Sequence, residues 1–392
     1  MALASTSKIQ LAYLEESVFG VTPSSPTGAK FLRNTDSSLN YSITKATSSE
    51  INATRQSSDA VHVSGAADGS LNFESIYREY DPLYAALLAS DFSTDFGTDG
   101  VSTLACDFDT ATNTITVSAA SFAGISAGDW IGVQNSTAND GSYLVESLTT
   151  TVLTLSSATP LVADATGDSC DISTSVISNG TNALSTFQFQ KHFSDVGQYF
   201  LFRGMGVSAM ELSFSTGSIM TGSFSFVGKD SVRGTTNSLG TIGASTSFGV
   251  MNGVTGVGRV LVDGAALSGT FIKSASVSVE AGLRGQEAVG YLGSVGLGDG
   301  TFSIGGKLSI YLNDGSIYDS ALADTFVSLQ IPVNDVAGNG YVFVFDHVKL
   351  GVPPVPAGGK DNDAMLDLDF TAHAPDMTTD KMIKIYRVGQ AL

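Results

Sequence analysis

Residues 69–74 read Gly69-Ser70-Leu71-Asn72-Phe73-Glu74, and this short run indicates the fold class. Apolar Leu71 and Phe73 alternate with polar residues, which places one side of a β-strand in a core and the other in water. Asp-Gly and Asn-Gly pairs, which favour tight turns, separate many such runs along the chain. We therefore predict an all-β protein. Further alternating runs lie at 212–214, 224–226, 308–310 and 366–370.

The order of these runs repeats in the second half of the chain, where six landmarks recur at low identity. The repeat predicts two tandem units of β-sandwich or β-barrel type. A short helix flanks each unit, at 79–89 in the first and 320–326 in the second. Two like units in one chain can fill two like positions in a ring, so the repeat favours a pseudo-symmetric assembly. The matched landmarks are 38–41 with 276–279, 68–73 with 299–304, 80–87 with 318–322, 187–190 with 327–330, 197–202 with 340–345, and 223–226 with 367–370.

The two units differ mainly by an insertion in the first one. Five short runs with strand character fall between residues 97 and 174 and predict a small β-barrel. This segment contains the only tryptophan, Trp130, which we expect to anchor the barrel's own core. Because the insertion enters and leaves a single loop, we expect a surface module that assembly does not need. The predicted domains are 1–96 with 175–230, the insertion 97–174, a linker 231–247, and the second unit 248–392.

The charge balance argues against a protein that grips nucleic acid. The net charge is −19, whereas binding DNA requires a basic stripe. An acidic surface still permits DNA to pass nearby, because it repels phosphates. The simpler interpretation is that acidity keeps the protein soluble.

The two cysteines and the hydropathy bear on the compartment. Nothing at the N-terminus signals secretion, so we expect Cys106 and Cys170 to be buried free thiols, with a disulfide as the alternative. The start of the chain lacks the pattern of a signal peptide, and no apolar run is long enough for a transmembrane helix. We therefore expect no membrane insertion.

No constellation for catalysis, cofactor binding or metal binding stands out, and none is expected. The four histidines are scattered without the spacing of metal ligands. The candidate functional residues are instead acidic. Asp367 and Asp369 share the polar face of one strand, and Glu74 lies on the polar face of another. Sheet faces that are wet, acidic and free of Lys and Arg suit the wall of a water-filled channel. The alternative is an ordinary solvated face.

The N-terminal stretch 9–23 carries a resemblance to a known family. Glu16, Phe19, Gly20 and Pro23 form the pattern Glu-x-x-aromatic-Gly-x-x-Pro. Together with the early run Phe31-Leu32-Arg33 and the closing run 383–387, this pattern resembles the tail tube, or major tail, proteins of long-tailed bacteriophages. The segment 128–143 resembles a small β-module that recurs in phage tail proteins.

The resemblance implies a structural role in the virion tail, with assembly in the host cytoplasm. Such proteins form rings that stack into a hollow tube, and the genome passes through the lumen without specific binding. Hexameric rings are usual, while some duplicated relatives form trimers with pseudo-sixfold symmetry. The internal repeat favours a homotrimer here, with the hexamer as the alternative. Tape-measure and tail-tip or terminator proteins are the implied partners. Glu74, Asp367 and Asp369 are then expected to face the lumen, and the insertion the outside.

Two other classes of function remain as alternatives. A secreted or surface adhesin built from β-domains would share the low charge content of 15%. A glycan-active enzyme would need aromatic platforms beside carboxylates, but Trp130 lies in the insertion.

Overall fold

The structure is a computed structural model, and it describes residues 3–51, 53–54, 56–94, 96, 104–117, 122–164, 167–253, 260–266, 271–312, 315–355, 360 and 363–389. About half of the chain is β-strand (49%) and only 5% is helix. This confirms the all-β prediction. The predicted start of the insertion, residue 97, lies outside the described residues.

Within the described residues, the first part of the chain and the insertion contain eleven strands and one α-helix. A 3-10 turn, Thr6–Lys8, precedes them. The helix α1 spans Asp81–Leu88, inside the predicted range. The strands are β1 (Ile9–Glu15), β2 (Lys30–Phe31), β3 (Asp36–Ser37), β4 (Asn40–Thr47), β5 (Ala60–Glu74), β6 (Leu104–Asp109), β7 (Thr114–Val117), β8 (Trp130–Gln134), β9 (Gly141–Leu148), β10 (Val152–Leu155) and β11 (Asp168–Ser173).

The part of the remainder that the structure describes contains fifteen strands and a second helix. The helix α2 spans Ser316–Leu322, four residues before the predicted start. The strands are β12 (Ser175–Ser178), β13 (Phe187–Phe193), β14 (Gln198–Ser215), β15 (Thr221–Gly228), β16 (Asp230–Gly234), β17 (Leu261–Val262), β18 (Ala265–Ala266), β19 (Ile272–Glu280), β20 (Arg284–Gln286), β21 (Gly296–Gly298), β22 (Ser303–Tyr311), β23 (Val327–Asn334), β24 (Gly340–Leu350), β25 (Met365–Ala372) and β26 (Lys384–Val388).

The strand pairings of the first half recur in the second. The first half pairs in the order β4, β5, β15, β14, β13, and β1 adds to β13. The second half pairs in the order β19, β22, β25, β24, β23, and β17 adds to β23. Strand β14 also pairs with β16, as β24 does with β26. All these pairings are antiparallel, which fits the short turns between the strands.

The ladder partners correct one of the predicted landmark matches. Leu71 pairs with Ser37, and Leu308 pairs with Ala275, so Leu71 corresponds to Leu308. The sequence match of residues 68–73 with 299–304, which put Leu71 opposite Phe302, is therefore wrong by six residues. The match of Leu71 with Leu308 also brings Gly69 into correspondence with Gly306. At both glycines, the backbone of the neighbouring segment lies close to where a Cβ would be. A Cβ at Gly69 would lie 2.7 Å from the Leu39 Cα.

One continuous sheet joins the two halves. Strand β14 pairs with β19 over seven residue pairs, from Ala209 with Glu280 to Ser215 with Ser274. At one end of this sheet, β3 and β4 pair only with β5 within the described ranges. At the other end, the described part of the chain covers β25 only near its C-terminal end, where β24 pairs over residues 348–350 and Gly351 N donates to Asp369 O. Pro353 and Pro354 follow, and proline cannot donate to a ladder. Both ends of the sheet therefore present open strand edges.

The insertion forms a closed six-strand barrel of β6–β11. Cys106 and Cys170 are joined by a disulfide, with Cα atoms 6.3 Å apart. The expectation of free thiols is wrong, because strands β6 and β11 are antiparallel neighbours and bring the two buried residues together in the barrel core.

Trp130 does not anchor the barrel core, and that expectation is also wrong. Its ring packs in a separate cluster with Val342, Val344 and Val388 of the second half. Its Nε1 donates a hydrogen bond to Gln330 Oε1 at 2.9 Å. A fully buried indole with its N–H satisfied by a distant strand ties the barrel to the sheet, so the barrel is docked and not merely tethered.

A second tie between the halves begins at α1. Asp81, in the first helical turn, accepts a hydrogen bond from the Tyr341 hydroxyl at 2.5 Å and forms an ion pair with Arg387. Both ionic side chains are nearly buried, at 11% and 13% exposure. Tyr341 lies on β24 and Arg387 on β26, so one carboxylate connects the first-half helix to two second-half strands.

Candidate functional site

The predicted acidic residues lie on one face of the continuous sheet. Residues directly opposite in a ladder share a face, and the partners can be followed from strand to strand. Glu74 and Asp369 belong to the same row of side chains, which crosses six strands. The row consists of Glu74, Thr221, Ser213, Ser276, Lys307 and Asp369.

The two adjacent rows are polar as well. Asp367 lies in one of them, opposite Ser309, whose hydroxyl donates to the Asp367 carboxylate at 2.6 Å. Period-two alternation therefore brought all three predicted residues to a common face, which we call the wet face. The adjacent rows are Asn72, Ser223, Glu211, Ser278, Gly305 and Thr371 on one side, and Ser215, Ser274, Ser309 and Asp367 on the other.

The opposite face of the same strands forms the main hydrophobic core. Leu71, Phe224 and Val277 are fully buried there, at 0% exposure. The rings of Phe73 and Phe224 stack with centroids 5.0 Å apart. This burial fixes which side of each strand faces water, because a slip of one residue would turn the apolar set outward.

Two charged residues of the wet face were missed. Glu211 adds a carboxylate near the middle of the sheet, and Lys307 adds an ammonium beside Asp369. The Lys307 Nζ lies 3.5 Å from Asp369 Oδ1, and both side chains are about three-quarters exposed. The expectation of a face free of lysine is therefore wrong. The alternation of Lys307 with Leu308 in the sequence would have identified it.

The centre of the wet face is hollow. A depression of about 710 Å³ is lined by hydroxyl, amide and charged groups of five strands. Phe73, Leu212 and Val277 also contribute to its lining, and the depression is open to solvent. The polar lining includes Asn72, Glu211, Ser213, Ser223, Ser278 and Lys307.

The described residues contain no group of three or more His, Cys, Asp or Glu side chains that could hold a metal ion. His192 stacks on Tyr199 with ring centroids 4.1 Å apart. His347 Nε2 lies 3.3 Å from an Asp380 oxygen. These two histidines thus have structural partners within the fold.

The N-terminal motif has a structural basis. The Glu16 carboxylate accepts hydrogen bonds from the backbone N–H groups of Gly20 and Gly204, at 2.8 and 2.9 Å. It also accepts one from the Thr186 hydroxyl at 2.7 Å. Gly20 has φ +64°, which favours glycine. The motif therefore closes a turn and anchors it against β14.

Fold, wet face and motif together describe an all-β protein in which one face of a continuous sheet is polar. A family model described as phage tail tube protein matches residues 6–372. The chain belongs to the phage tail tube protein family and is a structural component of the virion tail. No curated protein matches the chain in sequence. Among the described residues, no helix has the length and apolar character needed to cross a membrane.

Proposed function

We propose that this chain assembles into stacked rings that form a hollow tail tube, and that the wet face lines the lumen through which DNA passes. The observation that carries the proposal is the continuous sheet with one polar face and two open edges. Open edges invite pairing with another chain, and ring closure removes them.

The charges of the wet face support passage of DNA without binding. Glu74, Glu211, Asp367 and Asp369 oppose a single lysine among the three rows, Lys307, which is paired with Asp369. Carboxylates repel phosphates over a distance of about 8 Å at physiological salt. Serine hydroxyls in between keep the wall hydrated. DNA would then slide along a water layer.

The internal junction between β14 and β19 supports trimeric rings. If the halves are two tube domains, 1–96 with 175–230 and 248–392, three chains supply six domains. The junction inside the chain then serves as the template for the junction between chains. Residues 231–247 act as the linker, and the barrel 97–174 lies outside the tube. Hexameric rings of whole chains remain the alternative. Tape-measure and tail-tip or terminator proteins complete the assembly in the host cytoplasm.

Electron microscopy of the concentrated chain tests the tube directly. Hollow tubes of uniform width, or rings with six lobes, are the expected result. The proposal is contradicted if the particles stay small and cross-linking also captures no contact between copies.

A cysteine pair tests the edges and counts the subunits. Ser213 pairs with Ser276 inside the chain. If the segment after β24 extends along β25 as β14 extends along β15, the same register places Val355 of one copy opposite Ser38 of the next. The double variant S38C/V355C should give a covalent ladder that ends at three chains. A ladder that ends at six supports hexamers, and S38C alone is the matched control.

A further inference from the structure

A buried lysine occupies the open edge of the first half. Lys191 lies on β13 and is only 9% exposed. Its Nζ donates hydrogen bonds to the carbonyl oxygens of Ser37 at 2.7 Å and Leu39 at 3.1 Å. The ammonium also lies 5.5 Å from the centre of the Phe202 ring. One side chain thus satisfies two backbone acceptors of the edge strand.

The corresponding carbonyls of the second half face a partner strand. Ser37 and Leu39 correspond to Ala275 and Val277 by the ladder positions given above. Outside the two ends of the β14–β19 ladder, Thr216 N donates to Lys273 O and Ala281 N donates to Ser208 O. In an antiparallel ladder, alternate residues point their backbone groups to the same neighbour, so Ala275 and Val277 also face β14. Lys191 therefore binds the acceptors that a docking strand would use.

The second half has no lysine at the equivalent position. Lys191 pairs with Phe200, and Ile331 pairs with Phe343 at the same place in the second half. Ile331 is buried, and the edge beside it is already covered by β14. Within the two halves, the lysine is present where the edge is open and absent where the edge is paired.

We propose that Lys191 closes the Asp36–Tyr41 edge in the free chain, and that a second copy must displace its ammonium from Ser37 and Leu39 to dock. This inference rests on the proposed ring assembly. A lysine at a strand edge opposes edge-to-edge pairing, because any incoming strand leaves the ammonium without its acceptors. The occupant that replaces it is the open edge of a second copy, since the same carbonyls already pair in that way within the chain.

The protonation state of Lys191 affects the same contact with the carbonyl oxygens of Ser37 and Leu39. Burial lowers the pKa of Lys191 to about 8, while Asp36 on β3 acts in the opposite direction. Asp36 is the charged group that faces the ammonium. The buried position therefore holds the neutral amine more favourably than water does, whereas a displaced side chain regains the ordinary affinity for its proton. The edge accordingly opens less readily as pH rises above 8. This range lies above the ordinary pKa of histidine and below that of tyrosine.

The test compares assembly onset for the wild-type chain, K191I, K191M and the control K229M. Lys229 also lies over a phenylalanine ring, at 5.8 Å, but donates no side-chain hydrogen bond to Ser37 or Leu39. Sedimentation and light scattering give the onset concentration for rings or tubes. We expect onset about tenfold lower for both Lys191 variants, because the hydrogen bonds of the ammonium to Ser37 and Leu39 no longer have to be broken. K229M should match the wild type.

Several outcomes overturn the inference and leave the proposed function intact. Equal onset for wild type and Lys191 variants, with tubes formed by both, is one of them. A second overturning outcome is slower assembly of natively folded Lys191 variants, because the lysine would then promote docking of the edge instead of opposing it. If the substituted chains fold poorly, a wild-type series from pH 7 to pH 9 decides: the onset concentration should rise with pH, and an onset that does not rise overturns the inference. Absence of rings and cross-links in all chains, S38C/V355C included, rejects the proposed function itself.

Discussion

Glu74 and Asp369 lie at opposite ends of one row of side chains that crosses six strands. Five strand spacings separate the two carboxylates, a distance of about 24 Å along the sheet. The residues are far apart in the chain and belong to different halves, yet they share one polar surface. The predictions below concern that surface and the contacts that hold the two halves together.

Reversing charge on the wet face should make the assembled tube bind DNA. The variant E211K/D369K adds two ammonium groups to the face that carries Lys307, so phosphates gain counterions. We expect measurable retention of double-stranded DNA at low salt, decreasing as salt rises. Gel shift of assembled tubes against salt concentration measures it. The control E146K places a lysine on the insertion, and equal retention by that tube would contradict a lumenal wet face.

The Asp81 contact should be a main source of stability between the halves. D81N removes the carboxylate charge that pairs with the nearly buried Arg387 guanidinium. Breaking a buried pair in this way typically costs about 3–5 kcal/mol. Denaturant unfolding measures the loss. The control D369N removes an exposed pair with Lys307, for which about 0–1 kcal/mol is expected. Similar losses for the two variants would contradict the assignment.

The disulfide should stabilise the inserted barrel. Cys106 and Cys170 are 64 residues apart in sequence, so their bond restricts a long loop in the unfolded chain. Removing such a bond costs about 2–4 kcal/mol. C106S/C170S should therefore lower the thermal midpoint of the barrel, as should a reductant added to the unfolded wild-type chain. Calorimetry detects the change, and an unchanged midpoint under both treatments would show that the bond does not contribute.

Docking of the barrel changes what its deletion should do. Trp130 covers Val342, Val344 and Val388, so removing residues 97–174 would expose an apolar surface on the second half. We expect the deleted chain to aggregate, whereas a surface module would have been dispensable. W130A should weaken docking in the intact chain, with protease cleavage near the barrel boundaries as the measurement. W130F is the control that keeps most of the packing but loses the hydrogen bond to Gln330.

Lys191 should make folding stability depend on pH. Its pKa is lowered to about 8 in the folded chain, below the ordinary value of 10.5. The folded state therefore binds this proton less tightly than the unfolded state. The contribution to stability is full above pH 10.5 and is lost as pH falls through 8. The difference in urea midpoint between wild type and K191M should shift in favour of the wild type from pH 7.5 to pH 10. A constant difference would contradict the lowered pKa.

The fold class and the wet face follow from local pattern. Alternation around Leu71 and Leu368 determines which side of each strand is apolar, and that property needs only a few neighbouring residues. The same alternation predicts that Glu74, Asp367 and Asp369 lie on polar strand faces, and the ladder pairings place them on one face of the sheet. The prediction of helix α1 also depends only on local sequence, because Pro82 and an Ala/Leu-rich run define it.

Register and long-range contacts depended on the tertiary structure. The sequence aligned Leu71 with Phe302 because Asp-Gly turns look alike, whereas the ladder pairs match it with Leu308. The Cys106–Cys170 bond, the docking of Trp130 and the position of Lys191 at an open edge all join residues distant in sequence. A period-two alternation predicts which face of the sheet a residue occupies, but it does not predict which strand lies beside that residue. Only the packed sheet, with its ladders in place, decides those neighbours.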